Sequence, residues 1–307
     1  MARTRFAADR GLVTRMLFVM FLLGLLYVVF VGALIAVGVS TVLIIVVVGG
    51  FFLIQFFASD RIALFAMHGR VVTPEEAPEL HAIVDRLCAM SNTPKPKVAI
   101  ADSDVPNAFA TGRSQKRAVV CATTGIMRRL DAEELEGVLA HEMSHVAHHD
   151  VAVMTIASFL GVLAGFITRI AFYSEIFGGG GYSRRRGNDQ NTAMIAFFVM
   201  IVSALVYAVS FLLIRALSRY RELSADRAGA LLTGRPSVLA SALQKVTGAM
   251  GRIPTRDLRS AEAFNAFFFT PALANGASLS SLFSTHPSLE RRLQQLAEIS
   301  RELGEGR

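Results

Sequence analysis

Residues 16–38, MLFVMFLLGLLYVVFVGALIAVG, contain no charged side chain and are long enough to cross a bilayer as a helix. A second apolar run, 41–58, follows after a two-residue break, so the pair predicts a hairpin of two spans. The first run is too long for a signal-peptide core, and another span follows it directly; it is expected to stay as an anchor. Arg3, Arg5, Arg10 and Arg15 precede it, which places the amino terminus on the cytoplasmic side. Two crossings then return residue 59 onward to that side.

A third run, 152–173, is interrupted by Arg169, and a fourth, 193–214, ends at Arg215. Between them lies a glycine-rich polar loop that carries Arg184, Arg185 and Arg186. If both runs span, these arginines lie outside, against the positive-inside tendency; a shallow re-entrant hairpin is the other arrangement. The fourth run is long and uncharged, which favours two true spans. The composition agrees with a lipid environment: 53% of residues are hydrophobic and 18% charged, well short of the charge on an ordinary soluble domain. The net charge of +7 sits largely beside the apolar runs, at Arg215, Arg219 and Arg221 as well as at the amino end. No aromatic-interleaved basic patch is present, so nucleic acid is not an expected partner. Cys88 and Cys121 belong to no CxxC pair and are expected to be reduced thiols without a ligand role.

The expected organisation is therefore a membrane hairpin over 1–58, a first polar part over 59–150, a second spanning or re-entrant hairpin over 151–217, and a second polar part over 218–307. In the polar parts, TPEEAPELHAIVDRLCAM predicts a helix with Thr73 as cap, Pro74 at its first position and Glu76 completing a capping box. KPKVAIADS and KRAVVCAT read as short strands, and NAFATG (107–112) as a third extended piece. LDAEELEGVLAHEMSHVAHH predicts a helix capped by Asp131 with Glu134 three residues on.

That last helix holds His141, His145, His148 and His149, four of the chain's seven histidines. On a helix, positions i and i+4 share a face, so both His141/His145 and His145/His149 qualify as a metal-binding pair. The following residue separates them. Glu142 after His141 can do proton chemistry, whereas Val146 after His145 cannot, and only HEMSH is an H-E-x-x-H arrangement. Zinc on three protein ligands keeps a position open for water and brings its pKa near 7, and Glu142 would be the general base. His148 and His149 read as the helix end, beside its negative pole. His148 could compete as third ligand, but three ligands on one helix spread over about 10 Å of axis and fit a tetrahedron poorly. A carboxylate downstream fits better. In SRYRELSADRAG, Glu222 and Asp226 share a helix face; Glu222 could bind the metal, and Asp226 could fix the tautomer of a ligand histidine.

With HEMSH, an apolar pair of runs and RELSADRAG in that order, the chain resembles the HtpX-type membrane zinc metalloproteases, relatives of the CAAX prenyl proteases. PNAFATG and THPSLERR also match motifs of that family, and the resemblance covers nearly the whole chain. It implies a mostly helical α+β, multi-pass membrane protein with a thermolysin-like (gluzincin) zincin domain and one Zn²⁺ per chain. His141, His145 and Glu222 match the zinc ligands, Glu142 the base, and Asp226 the partner of the first histidine. Asn107, Ala108, Phe109 and Ala110 match a substrate-pairing edge strand. His286 matches an oxyanion-stabilising histidine, and Arg292 falls at the arginine position of the same motif. The family commonly has two prolines after this histidine, whereas here Pro287 is followed by Ser288.

The implied activity is an endopeptidase of the bacterial inner membrane. It would clip damaged or misfolded membrane proteins on the cytoplasmic side, in a stress response. The site should lie close to the bilayer: Val151 is about 9 Å of helical rise beyond His145, and Ile214 about 12 Å before Glu222. Two other functions remain compatible with the motifs, a CAAX-type prenyl protease and a catalytically silent zinc-binding scaffold. Glu142 argues against the scaffold, since a structural site needs no base.

Overall fold

The computed structural model describes residues 9–36, 38, 40–112, 114–150, 153–154, 156–159, 162–165, 189–252 and 286–304. The Gly/Arg loop and most of the third apolar run lie outside the described residues. In chain order the elements are α1 (Arg10–Ala36), α2 (Thr41–Ala66), β1 (Gly69–Val71), α3 (Pro78–Ser91), β2 (Lys97–Ala101), β3 (Ala108–Thr111), β4 (Val119–Thr123), α4 (Thr124–Met127), α5 (Ala132–Ala147), α6 (Asp189–Thr233), α7 (Pro236–Met250) and α8 (Leu289–Leu303). The architecture is mostly helical α+β, as expected.

The chain divides into two compact units. One comprises residues 14–57 and 154–214. Here residues 16–36 of the first apolar run are helical in α1, the second run is helical in α2, and the fourth lies inside the 45-residue α6. Among the described residues, two helices are long and apolar enough to cross a membrane, Arg10–Ala36 and Phe197–Thr233. Their side chains face outward in a way water would penalise: Leu17, Phe18, Phe21, Phe197, Ile201 and Leu205 are all exposed. So many large apolar groups on a helix surface belong against lipid.

The other unit, residues 1–13, 58–153 and 215–307, contains the polar parts. Its sheet runs β1-β2-β4-β3, with β2 and β4 parallel and the two outer pairings antiparallel. The three extended pieces expected from the sequence are β2, β3 and β4. Leu87, Val98, Val120, Val138, Leu139, Leu243 and Leu296 are among the side chains of a core shared by the sheet and α3, α5, α7 and α8. Gly112 makes the turn after β3. Its φ is +121°, and a Cβ there would stand 2.6 Å from the Arg117 carbonyl oxygen, so only glycine fits.

The start of α3 corrects the sequence expectation. Thr73 N–H does donate to Glu76 Oε2 at 2.8 Å, but the four residues form a turn, and the helix begins at Pro78 with Ala77 as its cap. Pro78 is the cause. A proline ring disfavours the helical region for the residue before it, and Ala77 sits at φ −144°, ψ 63°. The Asp131 capping box of α5 is formed in full, with Glu134 N–H donating to Asp131 Oδ1 at 2.9 Å and Asp131 N–H to Glu134 Oε2 at 3.2 Å. Glu134 also accepts from Ser241 Oγ and Lys245 Nζ of α7, which pins the first turn of α5.

Candidate active site

α5 is buried from Glu134 to His145, so its polar side chains face protein on every side and each needs a partner. His141 and His145, one turn apart, stand with ring centroids 4.9 Å apart and planes at 88°. Glu222 of α6 completes the group: one ligand atom from each of the three residues can be chosen so that all lie within 4.8 Å of one another. His141 Nε2 is 3.5 Å from Glu222 Oε2, and His145 Nε2 is 3.6 Å from Glu222 Oε1. Two ligands of a tetrahedral ion bound at ~2.0–2.1 Å are separated by roughly 3.3 Å, and the two Glu222 spacings come close to that.

The close approach of α5 and α6 has a local cause. A Cβ on Gly229 would lie 2.9 Å from the His141 backbone nitrogen and 3.2 Å from its Cα. Glycine at this one position lets the two helix backbones meet where both halves of the site are carried. The amino-terminal segment adds a tie to the same stretch of α6: Asp9 caps α1 through Leu12 N–H at 2.8 Å and accepts from Ser224 Oγ at 2.8 Å.

Behind each histidine stands a carboxylate, and beside each carboxylate an arginine. Asp226 Oδ1 lies 2.9 Å from His141 Nδ1, and Arg292 donates to both Asp226 oxygens, at 2.7 and 2.6 Å. Asp150 Oδ2 lies 2.8 Å from His145 Nδ1, with Arg221 Nε 3.2 Å from the same oxygen. Burial alone would depress His141; its bonds to Asp226 and Glu222 outweigh that and push it up to about 9. Burial likewise raises Asp150, but the Arg221 charge and the His145 bond overcome it and hold the carboxyl below its usual range. Glu142 moves the other way. Its burial outweighs the pull of the two histidines and raises it.

Glu142 Oε2 accepts from the Ala110 N–H of β3 at 3.1 Å. β3 is an edge of the sheet, and its ladder explains why that amide is available. Asn107 C=O accepts from Thr123 N–H, so by alternation Phe109 also turns its main chain toward β4, while Ala108 and Ala110 turn theirs to the edge away from β4. Of the four residues 107–110, the structure thus brings only two backbones to that edge. Asn107 N–H is bound to Thr123 Oγ1, and Phe109 is packed in a small cluster with Ala99, Ala101, Val119 and Cys121.

Of the other residues expected at the site, His286 and Arg292 are both present and buried. His286 Nδ1 is 3.2 Å from Glu222 Oε2. Arg292 meets Asp226. His148 ends α5 as its C-cap, with His149 following at φ +60°. Three contributors escaped the sequence reading, namely Asp150, Gly229 and the Asp150 contact of Arg221.

A buried HExxH helix facing a carboxylate on a second helix defines a metallopeptidase. Residues 74–300 match peptidase family M48. Three similar proteins are "Protease HtpX homolog 1" of Streptomyces coelicolor, "Protease HtpX homolog" of Moorella thermoacetica and "Protease HtpX homolog 2" of Methanosarcina acetivorans. The first is 64% identical over 99% of this chain and 97% of its own; the second is 52% identical over 99% and 100%. The third is 50% identical over 98% of this chain and 99% of its own. The crystal structure of S. mikatae Ste24p superposes with a TM-score of 0.55 over 89% of this chain and 62% of that one, at 19% identity, a likeness of fold. The chain belongs to peptidase family M48 and is a membrane metalloprotease.

Proposed function

We propose that the protein is a zinc endopeptidase of the bacterial inner membrane. It would cut exposed or unfolded polypeptide segments of damaged membrane proteins on the cytoplasmic side, as quality control under stress. The protein would be multi-pass, with all four apolar runs in the bilayer and a thermolysin-like catalytic domain built from 59–150 and 218–307. The observation that carries the reading is the meeting of His141, His145 and Glu222 beside Glu142, an acid-base residue that a structural metal site has no use for.

His141 and His145 offer Nε2, and Glu222 its carboxylate, to a single zinc ion. When bound, the ion makes water a nucleophile near neutral pH and polarises the scissile carbonyl. Glu142 takes the proton of the attacking water and passes it to the leaving amine. The Ala110 amide holds one Glu142 oxygen and leaves the other for that proton. His286 supplies a donor to the carbonyl oxygen as it gains charge, worth several kcal/mol in comparable sites, about 2.7–4. Arg292 acts through Asp226, orienting His141. Substrate backbone pairs with the outer edge of β3 at Ala108 and Ala110, which makes affinity largely independent of side-chain identity. That suits a protease whose substrates share misfolding and no common sequence.

The test compares wild type and Glu142→Ala for zinc content and for cleavage of casein or of the protein itself. The reading expects zinc retained and cleavage lost; unchanged cleavage would remove Glu142 from the mechanism.

A further inference from the structure

His145 is held by a residue that its own helix is not able to offer. On an uninterrupted helix the residue five positions on lies about 140° around the axis and points elsewhere. α5 stops at Ala147, His148 caps it, and His149 takes φ +60°, a left-handed conformation unusual for a residue with a side chain. The reversal swings Asp150 back beneath the helix end, where its Oδ2 comes within 2.8 Å of His145 Nδ1 and the residue is 1% exposed. Arg221 closes the arrangement from α6, its Nε 3.2 Å from the same oxygen, and its chain neighbour is Glu222.

We infer that Asp150, ion-paired with Arg221, is the positioning residue for His145. The inference rests on the metal reading above. By accepting the Nδ1–H, Asp150 selects the tautomer whose Nε2 lone pair faces Glu222 and stops the ring from turning about its χ2 axis. Arg221 Nη2 lies 3.4 Å from the same Nδ1. The pair therefore also ties the end of the HEMSH helix to α6 at the residue beside the third candidate ligand. His145–Asp150–Arg221 parallels, with unrelated spacing, the His141–Asp226–Arg292 arrangement, with an ion pair where Arg292 makes two hydrogen bonds. His149 is the residue whose backbone makes the parallel possible.

The test uses the full-length protein in detergent and reads zinc affinity by competition with a chromophoric chelator, alongside thermal unfolding of the chelator-stripped protein. The double variant Asp150→Ala/Arg221→Ala removes both charges and leaves neither buried alone. It is expected to bind zinc roughly 10–100-fold more weakly than wild type, while its stripped form unfolds near the wild-type temperature. Asp150→Asn, which keeps an oxygen where Nδ1–H needs one, retains most of the affinity and decides the matter should the double variant fold poorly. Wild-type affinity in the double variant, or an Asp150→Asn affinity as low as that of the double variant, overturns the inference. His145→Ala separates the two levels of the argument. If it binds zinc like wild type, the ligand assignment fails; if it loses zinc while the double variant does not, only the role of Asp150 falls.

Discussion

Arg292 and Asp226 are joined by two hydrogen bonds, Nε to Oδ2 and Nη2 to Oδ1, with both side chains sealed from solvent. The oxygen that accepts from Nη2 is also the one 2.9 Å from His141 Nδ1. A buried pair of this kind is weak support for stability against an apolar replacement, yet breaking one side of it is severe. Arg292→Ala is therefore expected to cost about 3–5 kcal/mol, because it strands the Asp226 charge. Thermal unfolding of Arg292→Ala and of Arg292→Met/Asp226→Asn checks this. The double variant should unfold nearer wild type than Arg292→Ala does, and still bind zinc more weakly than wild type.

Glu142→Gln keeps the size of the side chain and removes the base. The expected outcome is an unchanged zinc content with kcat lower by about 10²–10⁴. Metal analysis and peptide cleavage on the same preparation measure both, and loss of zinc would mean that Glu142 supports the site rather than the reaction.

Gly229 and Gly248 make a controlled pair on helices. A Cβ at Gly229 runs into the His141 backbone at 2.9 Å, and backbone does not yield as a side chain would. Gly229→Ala should destabilise by about 1–3 kcal/mol and lower activity by separating α5 from α6. Gly248, in α7, has nothing within 4 Å of its would-be Cβ, so Gly248→Ala should be neutral or stabilise by up to about 1 kcal/mol. Unfolding temperatures of the two variants in the same detergent give the comparison.

Cys121 lies in β4 with no exposed surface, and burial pushes its thiol up to about 12. A raised pKa means that the folded state binds the proton more tightly than the unfolded chain, whose thiol titrates near 8.5. Its contribution is therefore complete below about pH 8.5 and drains away as pH rises toward 12. Wild type should lose stability faster than Cys121→Ala over that range. At pH 8.5, thiol labelling of the folded protein should leave Cys121 unmodified until it unfolds.

What could be read from the chain alone was whatever local spacing decides. The apolar runs, the Asp131–Glu134 capping box and the HEMSH face each depend on residues within one or two turns, so their side chains carry the signal themselves. The start of α3 is ambiguous in sequence because two prolines, Pro74 and Pro78, both satisfy the rule for a first helical position. Steric exclusion at Ala77 decides between them. Glu222 and Asp226 were legible as a helical pair, but only packing brings them to the histidines. Asp150 was not legible, since i to i+5 is no helical neighbour and the turn at His149 has no glycine to announce it. Gly229 was hidden for a related reason: a close helix approach is a property of two segments, and one sequence window holds only one of them. Among residues 107–110, the alternation of the β3 ladder determines which backbones reach the edge, and alternation needs the register.

X-ray absorption at the zinc edge, recorded on the purified full-length protein and on Glu222→Ala, probes the coordination sphere itself. The expected spectrum for wild type is one zinc per chain bound by two imidazoles and oxygen, with Glu222→Ala losing the metal or its carboxylate contribution. A sulfur shell, fewer than two imidazoles, or identical spectra for the two proteins would contradict the assignment of His141, His145 and Glu222.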